Sequence, residues 1–347
     1  SLIIMDEPNS SLSEAETERL FSVIQTLQER RVAVIYVSHK IEEVLRIADR
    51  ISVLRDGEYR GTLRKSEASV EKVIQMMVGR ELRQETRRLR EEAGKKDGAL
   101  RLEVRGLSGK RFQDVSFDVH QGEIIGFAGL VGAGRTEVAR AIFGADPITA
   151  GEIRLDSKPV RFSSPGQAIA KGLAMIPEDR KLLSLFMDMP ILFNMSIAEM
   201  PRMTRSGLIN HRFVHSTAQS FIDQLRIKLA SVEHPVRSLS GGNQQKTTLA
   251  RWLATNPKLL IMDEPTHGVD VGVKAEIYEL MRNLADQGIS IMLISSELPE
   301  ILSMADRVVV MHEGRVTGIL DREQCDEHTV MLYATGLADN HTIAKQE

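Results

Sequence analysis

Three short stretches of this sequence hold residue types that phosphoryl transfer requires. GLVGAGRT, Gly129 to Thr136, fits the pattern G-x-x-x-x-G-[KR]-[ST], with Arg135 where lysine is usual. In such a loop Gly129, Gly132 and Gly134 let backbone N–H groups turn towards phosphate oxygens. A following helix adds the positive end of its dipole, and the Thr136 hydroxyl can be offered to Mg2+. LLIMDE ends in adjacent acids. Asp263, carried to a sheet edge, can hold Mg2+ directly or through water, and Glu264 is placed to polarise an attacking water. In LSGGNQQK, Ser240, Gly241 and Gly242 at a helix start expose N–H donors and a hydroxyl to an anion. Singly, each stretch has a plainer reading: a glycine-rich turn, acids at a strand end, a capped helix.

Alternating strands and helices must position these groups. GEIIGFAGL is a buried strand run followed by the helix TEVARAIFG; KLLIMDE and ISIMLIS are strands. VKAEIYELMRNLADQG is a helix with apolar positions at helical spacing, closed by Gly288. This alternation predicts an α/β domain with a mostly parallel sheet.

The acid-ending phrase occurs twice. SLIIMDEP places Asp6 and Glu7 where KLLIMDEP has Asp263 and Glu264, and the offset of 257 holds without gaps for about sixty residues, a repeat of domain size. VAVIYVSHKIEEVLRIADRISVLRDGEYRG pairs with ISIMLISSELPEILSMADRVVVMHEGRVTG. Residues 1–80 therefore match the last third of a domain that residues 99–338 hold complete, with a tail at 339–347. Between the copies, residues 81–98 read as a charged linker, and the opening within a strand-like run suggests a piece of a longer protein.

The 347 residues exceed one ordinary domain, and 42% hydrophobic with 27% charged residues describes a globular chain with a real core. A net charge of −3 argues against nucleic-acid binding, as do the glutamates interspersed in the linker. One cysteine, Cys325, excludes an internal disulfide and a cysteine-rich zinc site. The longest uncharged stretch, IIGFAGLVGAG, is about half the ~20 residues a spanning helix needs.

The three motifs, in this order, resemble the ATP-binding-cassette (ABC) ATPases. LVGAGRTE, IPEDRK, LSGGNQQK, DEPTHGVDVG and ISSELPE look like the second cassette of tandem sugar-import ATPases, and MDEPNSSLSEAETERLF with YVSHKIEEV looks like the end of the first. The resemblance implies a P-loop NTPase cassette with a helical subdomain at about 183–250, preceded by a partial cassette, using ATP and Mg2+. It implies an ATP-hydrolysing subunit lying peripherally on the cytoplasmic face of the inner membrane. There it would energise an integral-membrane permease fed by a periplasmic solute-binding protein. The sugar is not legible, because cassettes do not touch it. A soluble tandem cassette acting on ribosomes or DNA-repair complexes, and a non-hydrolysing nucleotide-binding regulator, are the alternatives.

In this family each ATP lies between the phosphate loop of one cassette and the signature of the other. One site would use Gly129 to Thr136, Asp263 and Glu264. The second would use Asp6, Glu7 and His39, closed by Ser240, Gly241, Gly242 and Gln244. The missing halves would come from a first-cassette portion or a second copy, so this chain alone is expected to turn ATP over slowly. His39 aligns with the family's switch histidine, whereas its counterpart is Ser296. Arg135 replaces the loop lysine, and Glu178 stands where many cassettes have glutamine. These departures fall on one site, which reads as binding nucleotide with reduced hydrolysis; the other reading is that they are neutral. Asp270 matches the aspartate that communicates between sites, and its counterpart is Ser13. His267 reads as a loop-facing polar residue. Phe112 is a candidate to stack on adenine, or a plain core residue. The Met-rich run SLFMDMPILFNMSIAEMPRM reads as subdomain core, with the family placing a permease-helix groove there.

Overall fold

Short β-branched and aliphatic runs cut by Asp, Pro and Gly set the strands of both repeats. The computed structural model describes residues 2–6, 8, 14–38, 41–55, 58–69, 72, 73, 76, 98–205 and 208–337. Contacts divide the chain into two compact units, 1–85 with 270–275 and 86–269 with 276–347, and each has its own core. Linker residues 81–97 and the tail lie outside the described residues.

In the first unit β1 (Leu2–Asp6) pairs in parallel with β2 (Ala33–Val37) across the helix Glu14–Glu29. A short helix, Ile41–Ile47, leads into the antiparallel pair β3 (Arg50–Arg55) and β4 (Glu58–Arg64). Ile51, Val53, Leu63 and Val73 form its core.

The second unit begins with β5 (Leu100–Ser108), β6 (Val115–His120) and β7 (Ile124–Gly129), then the helix Arg135–Ile142. β8 (Ala150–Leu155) and β9 (Lys158–Val160) complete an antiparallel sheet of order β6-β5-β8-β9. β10 (Leu173–Ile176) precedes a largely helical insertion running from Arg180 to Leu253, which carries one small hairpin, β11 (Thr204–Arg205) with β12 (Leu208–Ile209). β13 (Leu259–Asp263), β14 (Ser290–Ile294), β15 (Arg307–His312) and β16 (Arg315–Asp321) follow.

The larger sheet has the order β10-β13-β14-β7-β15-β16, parallel except for β16. The antiparallel sheet packs on it through Phe117 of β6 and Phe127 of β7, edge to face with ring centroids 5.0 Å apart. Both rings belong to one continuous core with Leu102, Val104, Ile261 and Val309.

Every element from β13 to β16 repeats the residue bounds of β1 to β4 at the constant offset, and the bulge between Val53 and Leu54 recurs between Val310 and Met311. Burial does not repeat. β13 and β14 are buried at every residue, whereas Leu2, Ile4, Ile35 and Val37 are exposed. A parallel strand is covered on both faces only where neighbouring strands and crossover helices surround it, and β13 and β14 have β10 and β7 beside them.

Candidate functional site

Four adjacent parallel strands end at one sheet edge and deliver the site. In register, Ile176 of β10 lies beside Met262, Asp263 of β13 beside Ile294, and Ile294 of β14 beside Phe127 of β7. The segments leaving these strands carry Glu178, then Glu264, then Ser295 and Ser296, then the glycine loop. The order reverses where β7 inserts between β14 and β15, the kind of switch point at which open α/β sheets bind ligands.

The glycine loop is shaped by close backbone approach. A Cβ on Gly129 would lie 2.4 Å from the Met311 carbonyl oxygen of the paired strand. Gly134 caps the helix at φ +95°, a left-handed conformation that suits glycine, and its carbonyl accepts from Val138 N at 3.0 Å. Gly132 is exposed and Thr136 half-buried.

Arg135 is buried, and its Nη1 donates to the Ser295 carbonyl at 2.6 Å. The guanidinium is thus engaged with the segment that follows β14. That contact has no signal in the sequence, which specifies the charge but not its partner.

Asp263 is 1% exposed at the end of β13, and neither carboxylate oxygen has a hydrogen-bond partner of ordinary geometry. Burial pushes its pKa up to about 7, with the charges of Glu264 and Glu178 adding to the rise and the Thr136 hydroxyl and Arg135 opposing it. A carboxylate left unpaired in this way, with a hydroxyl nearby, fits a hard cation that uses few protein ligands and completes its shell with phosphate oxygens and water.

Glu264 adopts φ +48°, a conformation that costs a non-glycine residue about 1 kcal/mol or more. Its backbone N–H donates to the Ile294 carbonyl at 2.9 Å, holding the turn against β14. Its Oε2 accepts from the Ser296 hydroxyl at 3.1 Å. Burial raises its pKa, while Ser296 and Arg135 pull it down. The residue aligned with His39 therefore touches the acid through a hydroxyl, which can orient a carboxylate but has no imidazole to share a proton.

At the start of the helix Gly241–Leu253, Ser240 is exposed, and its Oγ accepts from Asn243 Nδ2 at 3.0 Å. Gly241 is half-buried and Gly242 buried. Gln244 is 5% exposed, and its Nε2 donates to the Leu239 carbonyl at 3.0 Å, which braces the helix start.

Phe112 is 4% exposed inside the main core, as the second of its two readings has it. Asp270 is exposed, and its Oδ1 accepts from Val273 N at 2.9 Å, capping the helix Val271–Asp286. His267 is exposed. Asp6 is exposed at the end of β1, while Glu7, Ser13 and His39 lie outside the described residues.

The family profile described as ABC transporter matches residues 112–267. The ribose import ATP-binding protein RbsA of Geobacillus kaustophilus is 48% identical over 335 residues, covering 96% of this chain and 67% of its own length. The chain belongs to the ABC transporter family. Two Pseudomonas relatives of this ABC chain, each 48% identical, are covered over 63% and 65% of their lengths, so the chain spans about two thirds of the curated relatives it matches. Among solved structures, the ATP-binding cassette MJ1267 of an ABC transporter aligns with a TM-score of 0.60 at 21% identity, over 69% of this chain and 98% of that one. A nucleotide-free ATP-binding cassette aligns at 0.55 and 20% identity, over 71% and 98%. At this identity the structures establish the cassette fold. Within this cassette fold, the described edge brings together the glycine loop, Asp263, Glu264 and Ser296.

Proposed function

We propose that this chain is part of the ATP-binding and hydrolysing subunit of an importer for a sugar or a related small polar solute. Its partners would be an integral-membrane permease and, indirectly, a periplasmic solute-binding protein. Its place would be the cytoplasmic face of the membrane. The observation that carries the reading is the convergence of Glu178, Asp263–Glu264, Ser296 and the glycine loop at four neighbouring strand ends. RbsA of Geobacillus kaustophilus, named above, is an import ATP-binding protein, which favours this reading over a ribosome- or DNA-associated cassette.

On this reading the loop Gly129–Thr136 binds ATP phosphates through its backbone N–H groups. Asp263 and Thr136 would hold Mg2+, which neutralises charge developing on the phosphates. Glu264 orients the attacking water, and Ser296 orients Glu264. With arginine in the loop and a hydroxyl at the switch position, this half binds nucleotide and hydrolyses it slowly. Glu7 and His39 would serve the faster site of the complete protein.

The test is a comparison of two substitutions in protein with a complete first cassette. Glu7→Gln should lower ATP turnover by at least about 100-fold, the range of a lost general base, whereas Glu264→Gln should lower it little. Equal losses would remove the asymmetry.

A further inference from the structure

Arg180 lies two residues beyond Glu178, inside the stretch IPEDRK, and the sequence by itself assigns it no role. Asp179 Oδ1 accepts from Lys181 N and Leu182 N, each at 2.9 Å, which starts the turn Arg180–Leu183 and aims the arginine. Its Nη1 donates to the His267 carbonyl at 2.9 Å and its Nη2 to the Gly268 carbonyl at 3.2 Å. Nε is buried without a partner among the described residues, so these two carbonyls are the contacts that hold the planar fork. A Cβ built on Gly241 would stand 3.0 Å from Nη2. The missing side chain leaves the guanidinium its room at the start of the helix Gly241–Leu253.

Three segments meet on this one side chain: the stretch carrying Glu178, the helix start after Ser240, and the loop from Glu264 towards Asp270. That loop is anchored at Glu264, whose N–H donates to the Ile294 carbonyl, and at Thr266, whose hydroxyl donates to Glu300 Oε1 at 3.0 Å, while the exposed His267 and Gly268 carbonyls are held by Arg180. Its own backbone bonds are His267 N to the Glu264 carbonyl at 3.1 Å and Val269 N to the Thr266 carbonyl at 3.3 Å.

We propose that Arg180 is a positioning residue that fastens the loop Glu264–Val269 to the Glu178 segment, so that displacement of one segment is carried to the other and to the start of the Gly241 helix. A guanidinium suits this task because two parallel donors fix direction as well as distance, where an ammonium would supply a single point contact. The kinetic consequence rests on the ATPase reading above; the tether itself does not.

Hydrogen exchange on this chain tests the tether. In Arg180→Ala the amides of His267 and Val269 should exchange at least about tenfold faster, as expected when hydrogen bonds from a charged donor are lost. Arg180→Lys should fall between the wild type and the alanine variant. Unchanged exchange at these amides in both variants overturns the tether, whatever the chain does. If Arg180→Ala loosens the whole unit, the lysine variant decides. In the assembled transporter, Arg180→Ala should lower kcat while leaving KM for ATP unchanged, with partial recovery in Arg180→Lys. Faster exchange with unaltered kcat would overturn the coupling role. A wild-type assembly without ATPase activity would count against the proposed function, and the exchange result would still decide Arg180.

Discussion

Replacing Asp263 with asparagine should stabilise the nucleotide-free chain at pH 8 and abolish its further stabilisation by ATP with Mg2+. The carboxyl is buried, neither oxygen has a partner of ordinary hydrogen-bond geometry among the described residues, and its pKa stands at about 7 against an ordinary 3.8. A carboxyl whose folded pKa is raised binds its proton more tightly in the folded than in the unfolded chain. Its contribution is therefore intact below about pH 4 and is lost as the pH rises through 7, a loss on the order of 4 kcal/mol. Asparagine has nearly the same shape and no charge at any pH. Its advantage over aspartate should be largest at pH 8 and shrink as the pH falls towards 4, read as the melting midpoint of the larger unit. The same substitution removes the proposed ligand for Mg2+, so added ATP with Mg2+ should raise the wild-type midpoint and leave the variant's unchanged. An Asp263→Asn chain destabilised equally at both pH values would mean that the carboxylate serves as a structural acceptor.

A second large effect should follow from Arg251→Met. Arg251 is 5% exposed on the helix Gly241–Leu253, and among the described residues no carboxylate pairs with it. Its Nε donates to the Asn194 carbonyl at 2.5 Å, its Nη2 to Asn194 Oδ1 at 2.9 Å, and its Nη1 to the Ser184 carbonyl. Asn194, fully buried, passes the connection on through Nδ2 to the carbonyls of Phe186, Pro190 and Met189. Burial pulls the arginine's pKa down to about 10, so it is still charged at neutral pH. Methionine fills much of the volume but takes the arginine's donors from the buried Ser184 and Asn194 carbonyls and leaves Asn194 Oδ1 only the Phe186 N–H, a loss of about 3–5 kcal/mol. Arg251→Lys should recover less than half of it, because an ammonium cannot reach three acceptors arranged for a planar fork. Urea unfolding of the larger unit measures both variants. A methionine variant within about 1 kcal/mol of wild type would show that the helical insertion stands without this bridge.

The mostly parallel sheet and the motif positions were legible because strand periodicity, glycine spacing and strand-ending acids are local properties, whereas the order of the strands was not. Gap-free repetition at a fixed offset also carried the bounds of β1 to β4 onto β13 to β16. The sequence placed Arg135, Glu178, Asp263, Glu264 and Ser296 in one site, and all five come from neighbouring strand ends. It left the packing of Phe112 and Gln244 open, since a residue type beside a motif does not reveal which way its side chain turns.

Arg180 and Arg251 escaped the sequence reading for a related reason. Their acceptors are backbone carbonyls, which every residue supplies, so no residue type marks the partner. Sequence by itself determined the family, the fold and the chemistry on offer, all of which follow from residue types at short, regular spacing. Tertiary structure alone decided which copy of the repeat is buried, what Arg135 grips, and which arginine ties the loops together. Burial and backbone hydrogen bonding depend on segments far apart in the chain.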